Sequence, residues 1–217
     1  MFFDLNIPTL ISRVFVLLTA FAVHEFAHAW TADRFGDMTP RMNGRLTLNP
    51  LVHLDPIGSL MLVFAGFGWA KPVEVNPYAL SRRSPAAMMW VSLAGPASNL
   101  LMAILAAIPF QLGLVSMADA APVQGQILPT LSMLLFEFVY INLILMLFNL
   151  IPIAPLDGEK IAYYFLPPSV GRVLDTIRPY GPIILLALVF LGPTIGFNLI
   201  GTVLGPPLQA LLSLLVG

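Results

Sequence analysis

The chain has 217 residues, of which 58% are hydrophobic and only 10% charged, with a mean hydropathy of +0.89. A soluble domain carries about a quarter charged residues, so this chain has too little polar side chain to cover a water-exposed globule. The formal net charge of −1 leaves no basic face for nucleic acid, and the absence of cysteine excludes disulfides, thiolate metal sites and cysteine nucleophiles.

Apolar runs of about 20 residues are long enough to cross a bilayer. The first runs from Thr9 to Ala32, the second from Pro85 to Phe110 and the third from Pro129 to Ile153. The last, Pro179 to Gly217, is too long for one span and is cut by Pro193, Pro206 and Pro207, so it reads as one span plus an interfacial helix, or as two. Asp4 stands where a leader would carry basic residues, so no cleavable signal is expected and the first run is a retained span.

Between the first two spans, Ile57 to Ala70 is apolar but short, which suits a re-entrant segment or a buried element. Met42 to Leu48 reads as an extended stretch with an Asn43-Gly44 turn. Lys71 to Pro77 alternates apolar and polar residues and reads as an edge strand. The expected architecture is therefore an all-α membrane protein. It is a polytopic bundle of four to six transmembrane helices in a single domain over 1–217, with a small membrane-associated β element.

Basic residues orient it. Arg34, Arg41, Arg45, Lys71, Arg82 and Arg83 follow the first span, Lys160, Arg172 and Arg178 follow the third, and Gln111 to Leu128 has none. The positive-inside rule places both basic segments in the cytoplasm, with Arg13 a weak counter-signal. For both to lie inside, Ile57 to Ala70 must return to its own side.

His24-Glu25-Phe26-Ala27-His28 sits inside the first span. On a helix, positions i and i+4 lie about 40° apart around the axis, so both imidazoles face one point and can bind a single Zn²⁺. Glu25 is placed to take a proton from water activated by that metal. Ionisable residues within a span are costly, so a helix that only had to span would not carry this trio. Catalytic zinc takes three protein ligands. Asp157, at the end of Asn149-Leu-Ile-Pro-Ile-Ala-Pro-Leu-Asp157-Gly158, emerges on the same face as His28 and is the candidate third ligand; its alternative is to cap the following helix. Asn149 is a candidate to hold the substrate backbone or the oxyanion, against a helix-capping or interhelical role. His53 is a candidate to assist the oxyanion, against a structural role in its loop. Glu137 is expected near the outer rim, and Gly95, Pro96 and Asn99 are expected to kink the second span and permit close packing.

Together, His24-Glu25-Phe26-Ala27-His28, Ala94-Gly95-Pro96-Ala97-Ser98-Asn99 and the Asn149–Gly158 stretch resemble the site-2 protease family of intramembrane zinc metalloproteases. Gly44 to Pro50 and Gly68 to Val73 resemble its compact prokaryotic branch, which lacks PDZ and nucleotide-sensing modules. The resemblance implies one zinc on His24, His28 and Asp157, a catalytic Glu25, and cleavage of a transmembrane segment of a membrane-protein substrate. It implies a multi-pass protein of the prokaryotic inner membrane with its site toward the cytoplasm. Neither oligomeric state nor substrate identity is legible. The competing readings are a non-proteolytic metal-binding scaffold, which would have no use for Glu25, and a transporter, for which no inverted repeat is visible.

Overall fold

The computed structural model describes residues 6–58, 68–121, 125–196 and 198–217. Among the described residues, four helices are long and apolar enough to cross a membrane: α1 (Ile7–Arg34), α3 (Ala87–Gln111), α4 (Leu131–Asn149) and α6 (Ser169–Thr194). Shorter helices include α2 (Pro77–Arg83), α5 (Asp157–Phe165) and α7 (Gly205–Val216). Asn6, Asn76 and Thr130 cap α1, α2 and α4 with their side-chain oxygens, and Pro8 and Pro77 fall in first turns, where a missing N–H costs nothing.

α1, α3 and α4 pack together, with α7 against α3 and α4. The α3–α4–α7 core is built from Ala103, Ala106, Ala107, Val139, Leu143, Met146 and Leu208. Alanines are fully buried on α1 as well, at Ala20, Ala29 and Ala32. Small residues let backbones approach closely, which is how helices associate in lipid, where burying leucine brings no hydrophobic gain. Polarity is inverted accordingly. Leu10, Val14, Phe15, Leu101 and Leu105 are exposed, while Ser12, His24, Glu25, Asn99, Glu137 and Asn142 are buried. Arg13 and Glu137, far apart in sequence, meet at 3.3 Å between α1 and α4. The carboxylate expected at the rim and the basic residue read as a counter-signal are thus one ion pair.

Two expectations are corrected. Among the described residues there is no β strand, only an isolated antiparallel bridge from Leu54 to Ala70. Residues 71–76 are extended, but Pro72 has no N–H to give a ladder, and three donors go to other partners. Lys71 N donates to His53 O (2.7 Å), Val73 N to Glu25 Oε2 (3.0 Å) and Asn76 N to Asp37 Oδ2 (2.6 Å). The Asn43-Gly44 turn is not a hairpin either. Pro40 starts a single helical turn, Thr39–Met42, and Gly44, at φ +67°, ends it in the left-handed conformation. Residues 59–67 of the expected re-entrant segment lie outside the described residues; the chain on either side of it meets through the Leu54–Ala70 bridge. The fourth span begins about ten residues earlier than hydropathy suggested and takes in Arg172 and Arg178.

Candidate metal centre

The metal-ligand candidates arrive on two elements. α1 carries His24 and His28 one turn apart, and the loop after α4 delivers Asp157 as the first residue of α5. Gly158 makes that delivery possible, because a Cβ there would collide with the Leu150 and Ile151 carbonyl oxygens. Leu156 takes the N-cap position, and Asp157 spends its carboxylate on the histidines, not on capping.

Asp157 Oδ2 lies 3.2 Å from His24 Nε2 and 3.2 Å from His28 Nε2, and the two Nε2 atoms are 2.9 Å apart. All three residues are buried. Among the described residues this is the group whose ligand atoms converge, all within 4.8 Å of one another. The other ring nitrogens set the polarity. His28 Nδ1 donates to the Val91 carbonyl (2.7 Å), and His24 Nδ1 faces Asn99 Oδ1 at 2.6 Å. With both Nδ1 atoms as donors, each neutral ring turns a bare Nε2 lone pair toward the other and toward a carboxylate. Three acceptors aimed at one point repel unless a cation sits among them. Donor atoms around tetrahedral zinc stand about 3.3 Å apart, from bonds of about 2.0–2.1 Å. The observed triangle is slightly smaller, and its donor set suits zinc.

α3 forms the wall behind the imidazoles. Gly95 lies directly against them, and a Cβ at that position would overlap the Nε2 atoms of both histidines. Glu25 is buried beside its metal-facing neighbours and accepts the Val73 N–H. Asn149 ends α4 and donates its amide to Leu145 O (2.9 Å), back onto its own helix. His53 is fully buried; its Nε2 bonds Thr47 O (2.8 Å), and its Nδ1 has no hydrogen-bond partner among the described residues. The three residues singled out in the sequence do converge, but what surrounds them was not read from it. Asn99 was assigned to packing, yet it meets His24, and Asn142 behind it was not singled out. The one signal for them was the presence of amides inside apolar helices, where hydrogen bonds between helices are a common use.

Comparison with known proteins bears on this centre. The signature of peptidase family M50 matches residues 112–192, which hold Asn149 and Asp157. The chain is 41% identical over 175 residues to "Putative zinc metalloprotease YwhC" of Bacillus subtilis, covering 81% of this chain and 78% of that protein. It is 33% identical over 187 residues to "Putative zinc metalloprotease Rip2" of Mycolicibacterium smegmatis (81% and 67% covered). It is also 33% identical over 207 residues to the Rip2 protein of Mycobacterium tuberculosis (90% and 74% covered). No solved structure matches the chain.

Proposed function

We propose a reaction from one premise: the chain belongs to peptidase family M50, the site-2 protease family, and is a zinc metalloprotease of the membrane. In this proposal it hydrolyses a peptide bond within or near a transmembrane segment of a membrane-protein substrate. The observation that carries the reading is the convergence of His24, His28 and Asp157 among membrane-spanning helices, with Glu25 next in sequence to the first ligand.

His24 Nε2, His28 Nε2 and an Asp157 oxygen would hold one zinc per chain. When bound, zinc lowers the pKa of a water and polarises the scissile carbonyl. Glu25 takes the proton of the attacking water and returns it to the leaving amine. In the resting chain its carboxylate accepts the Val73 N–H, so the extended segment 71–76 lies against the proposed base. That segment has a second use. The Glu74 and Val75 N–H groups make no hydrogen bond among the described residues, and an unwound substrate needs such partners for its freed backbone. Strand addition there would present the peptide beside Glu25, and Val75→Pro, which removes a donor, would weaken cleavage. Asn149 and His53 are proposed oxyanion or backbone contacts. Each now bonds a backbone carbonyl and would exchange that partner for substrate.

The active site is proposed to lie toward the cytoplasm, in a single domain over 1–217. The chain has no cysteine, so one introduced at exposed Ser81 would be labelled from the cytoplasmic side alone. The reaction is tested with purified protein and a single-span reporter substrate. Glu25→Gln is expected to keep zinc and lose cleavage. Cleavage at the wild-type rate by that variant would remove Glu25 from the chemistry.

A further inference from the structure

Two fully buried asparagines run from the metal centre into α4. Asn99 Oδ1 faces His24 Nδ1 at 2.6 Å, Asn99 Nδ2 donates to Asn142 Oδ1 at 2.8 Å, and Asn142 Nδ2 donates to the Phe138 carbonyl at 2.9 Å. Only one atom in this chain has a role fixed by its chemistry: a backbone carbonyl oxygen can accept and never donate. The rest follows from it. Phe138 O calls for the amide nitrogen of Asn142, which turns the Asn142 oxygen toward Asn99. That oxygen calls for the Asn99 nitrogen, which turns the Asn99 oxygen toward His24. His24 must then carry its proton on Nδ1 and leave Nε2 bare.

The second ligand histidine explains why two residues are used. His28 Nδ1 bonds the Val91 carbonyl directly, so its tautomer is settled by one contact. His24 meets a side-chain amide, which presents an acceptor in one orientation and a donor when flipped by 180° about its terminal bond. In the flipped state the Asn99 N–H groups would meet Nδ1 and favour the tautomer with a proton on Nε2, where the metal belongs. An asparagine alone beside His24 is therefore ambiguous, and Asn142 removes the ambiguity.

We propose that Asn99 and Asn142 are positioning residues that lock His24 into its metal-binding tautomer, with Asn142 acting solely by fixing the orientation of the Asn99 amide. The proposal rests on His24 being a zinc ligand. Ligand histidines commonly give their second N–H to a neighbouring acceptor, and loss of that partner costs about 10–100-fold in metal affinity. What this chain adds is a relay in which a backbone carbonyl on α4, two side chains away, sets the state of a ligand on α1.

The experiment measures the rate at which zinc passes from purified, zinc-loaded protein to a chelator. Asn142→Leu is expected to release zinc about 10–100-fold faster than wild type. Asn99→Asp provides the decisive background, since both carboxylate oxygens accept and the group has no wrong orientation. In the Asn99→Asp background, Asn142→Leu should add no further acceleration. An equal acceleration in both backgrounds would mean that Asn142 serves packing alone and would overturn the proposal, as would release at the wild-type rate from Asn142→Leu by itself. Ring ¹⁵N spectra of the wild-type protein need no variant. They should show His24 protonated on Nδ1, and a proton on Nε2 overturns the proposal. If wild type retains no zinc at all, the metal reading fails first and this inference with it; if wild type retains zinc, the double-variant result judges the relay alone.

Discussion

The first three spans and the fourth are built on different terms. Of the residues in the apolar stretches of α1, α3 and α4, 39–44% are buried, against 11% in α6. α1 meets α3 through alanine and glycine, so the helices close tightly and hold His24, His28 and Asn99 in fixed relation. α6 touches the loop that delivers Asp157 at few points. Arg178 pairs with Glu159, two residues past Asp157, at 2.9 Å, and Gly181 lies so close to Ala154 that a Cβ there would overlap the Ala154 carbonyl. The contrast teaches that the geometry of the candidate ligands depends on backbone approach among three helices, while the fourth is fastened beside the site and otherwise left exposed.

Substitutions can break that contrast, and the largest effect is expected at Gly95. Gly95→Ala places a methyl where both imidazoles stand, so zinc retention and proteolysis should each fall by about 100-fold or more, read by metal analysis and reporter cleavage. Next comes Arg13→Leu, which strands the buried Glu137 carboxylate between α1 and α4. The expected cost is about 3 kcal/mol in unfolding titrations in mixed micelles. Arg178→Ala also leaves a buried carboxylate, Glu159, but should cost less, about 2 kcal/mol, because the guanidinium is 49% exposed and water can enter where it stood. Smallest is Gly171→Ala on α6. Its added carbon meets only the Tyr163 ring at 3.3 Å, so stability should rise by no more than about 1 kcal/mol, with zinc unchanged. A Gly171→Ala variant that lost zinc, or a Gly95→Ala variant that kept it, would erase the distinction between the two regions.

The convergence of His24, His28 and Asp157 was legible because His-Glu-x-x-His is a local pattern whose geometry the helix itself dictates, and because Asp157 was expected to emerge on the same face. The first three spans were legible from hydropathy to within a few residues. What stayed hidden was pairing at a distance. Arg13 and Glu137 were read separately, one as an orientation signal and the other as a rim residue, since nothing local says that α1 and α4 are neighbours. Lys71 to Pro77 alternates like a strand, but its donors are taken by Glu25, Asp37 and the His53 carbonyl, so the pattern was right about extension and wrong about a sheet. α6 was placed too late because Arg172 and Arg178 lowered the local hydropathy, although both lie within the helical stretch. Asn99 and Asn142 were missed because a lone amide in a span has many uses until its partner is seen.

The central claim is that two imidazoles and one carboxylate from separate stretches of chain share one zinc. X-ray absorption at the zinc edge of the purified protein tests it most directly. The expected spectrum has one zinc per chain with two imidazole nitrogens and light oxygen scatterers, all at about 2.0–2.2 Å. In Asp157→Ala the metal should be lost or its oxygen shell altered. A spectrum with one imidazole or none, or an Asp157→Ala protein whose zinc shell matches the wild type, would contradict the account.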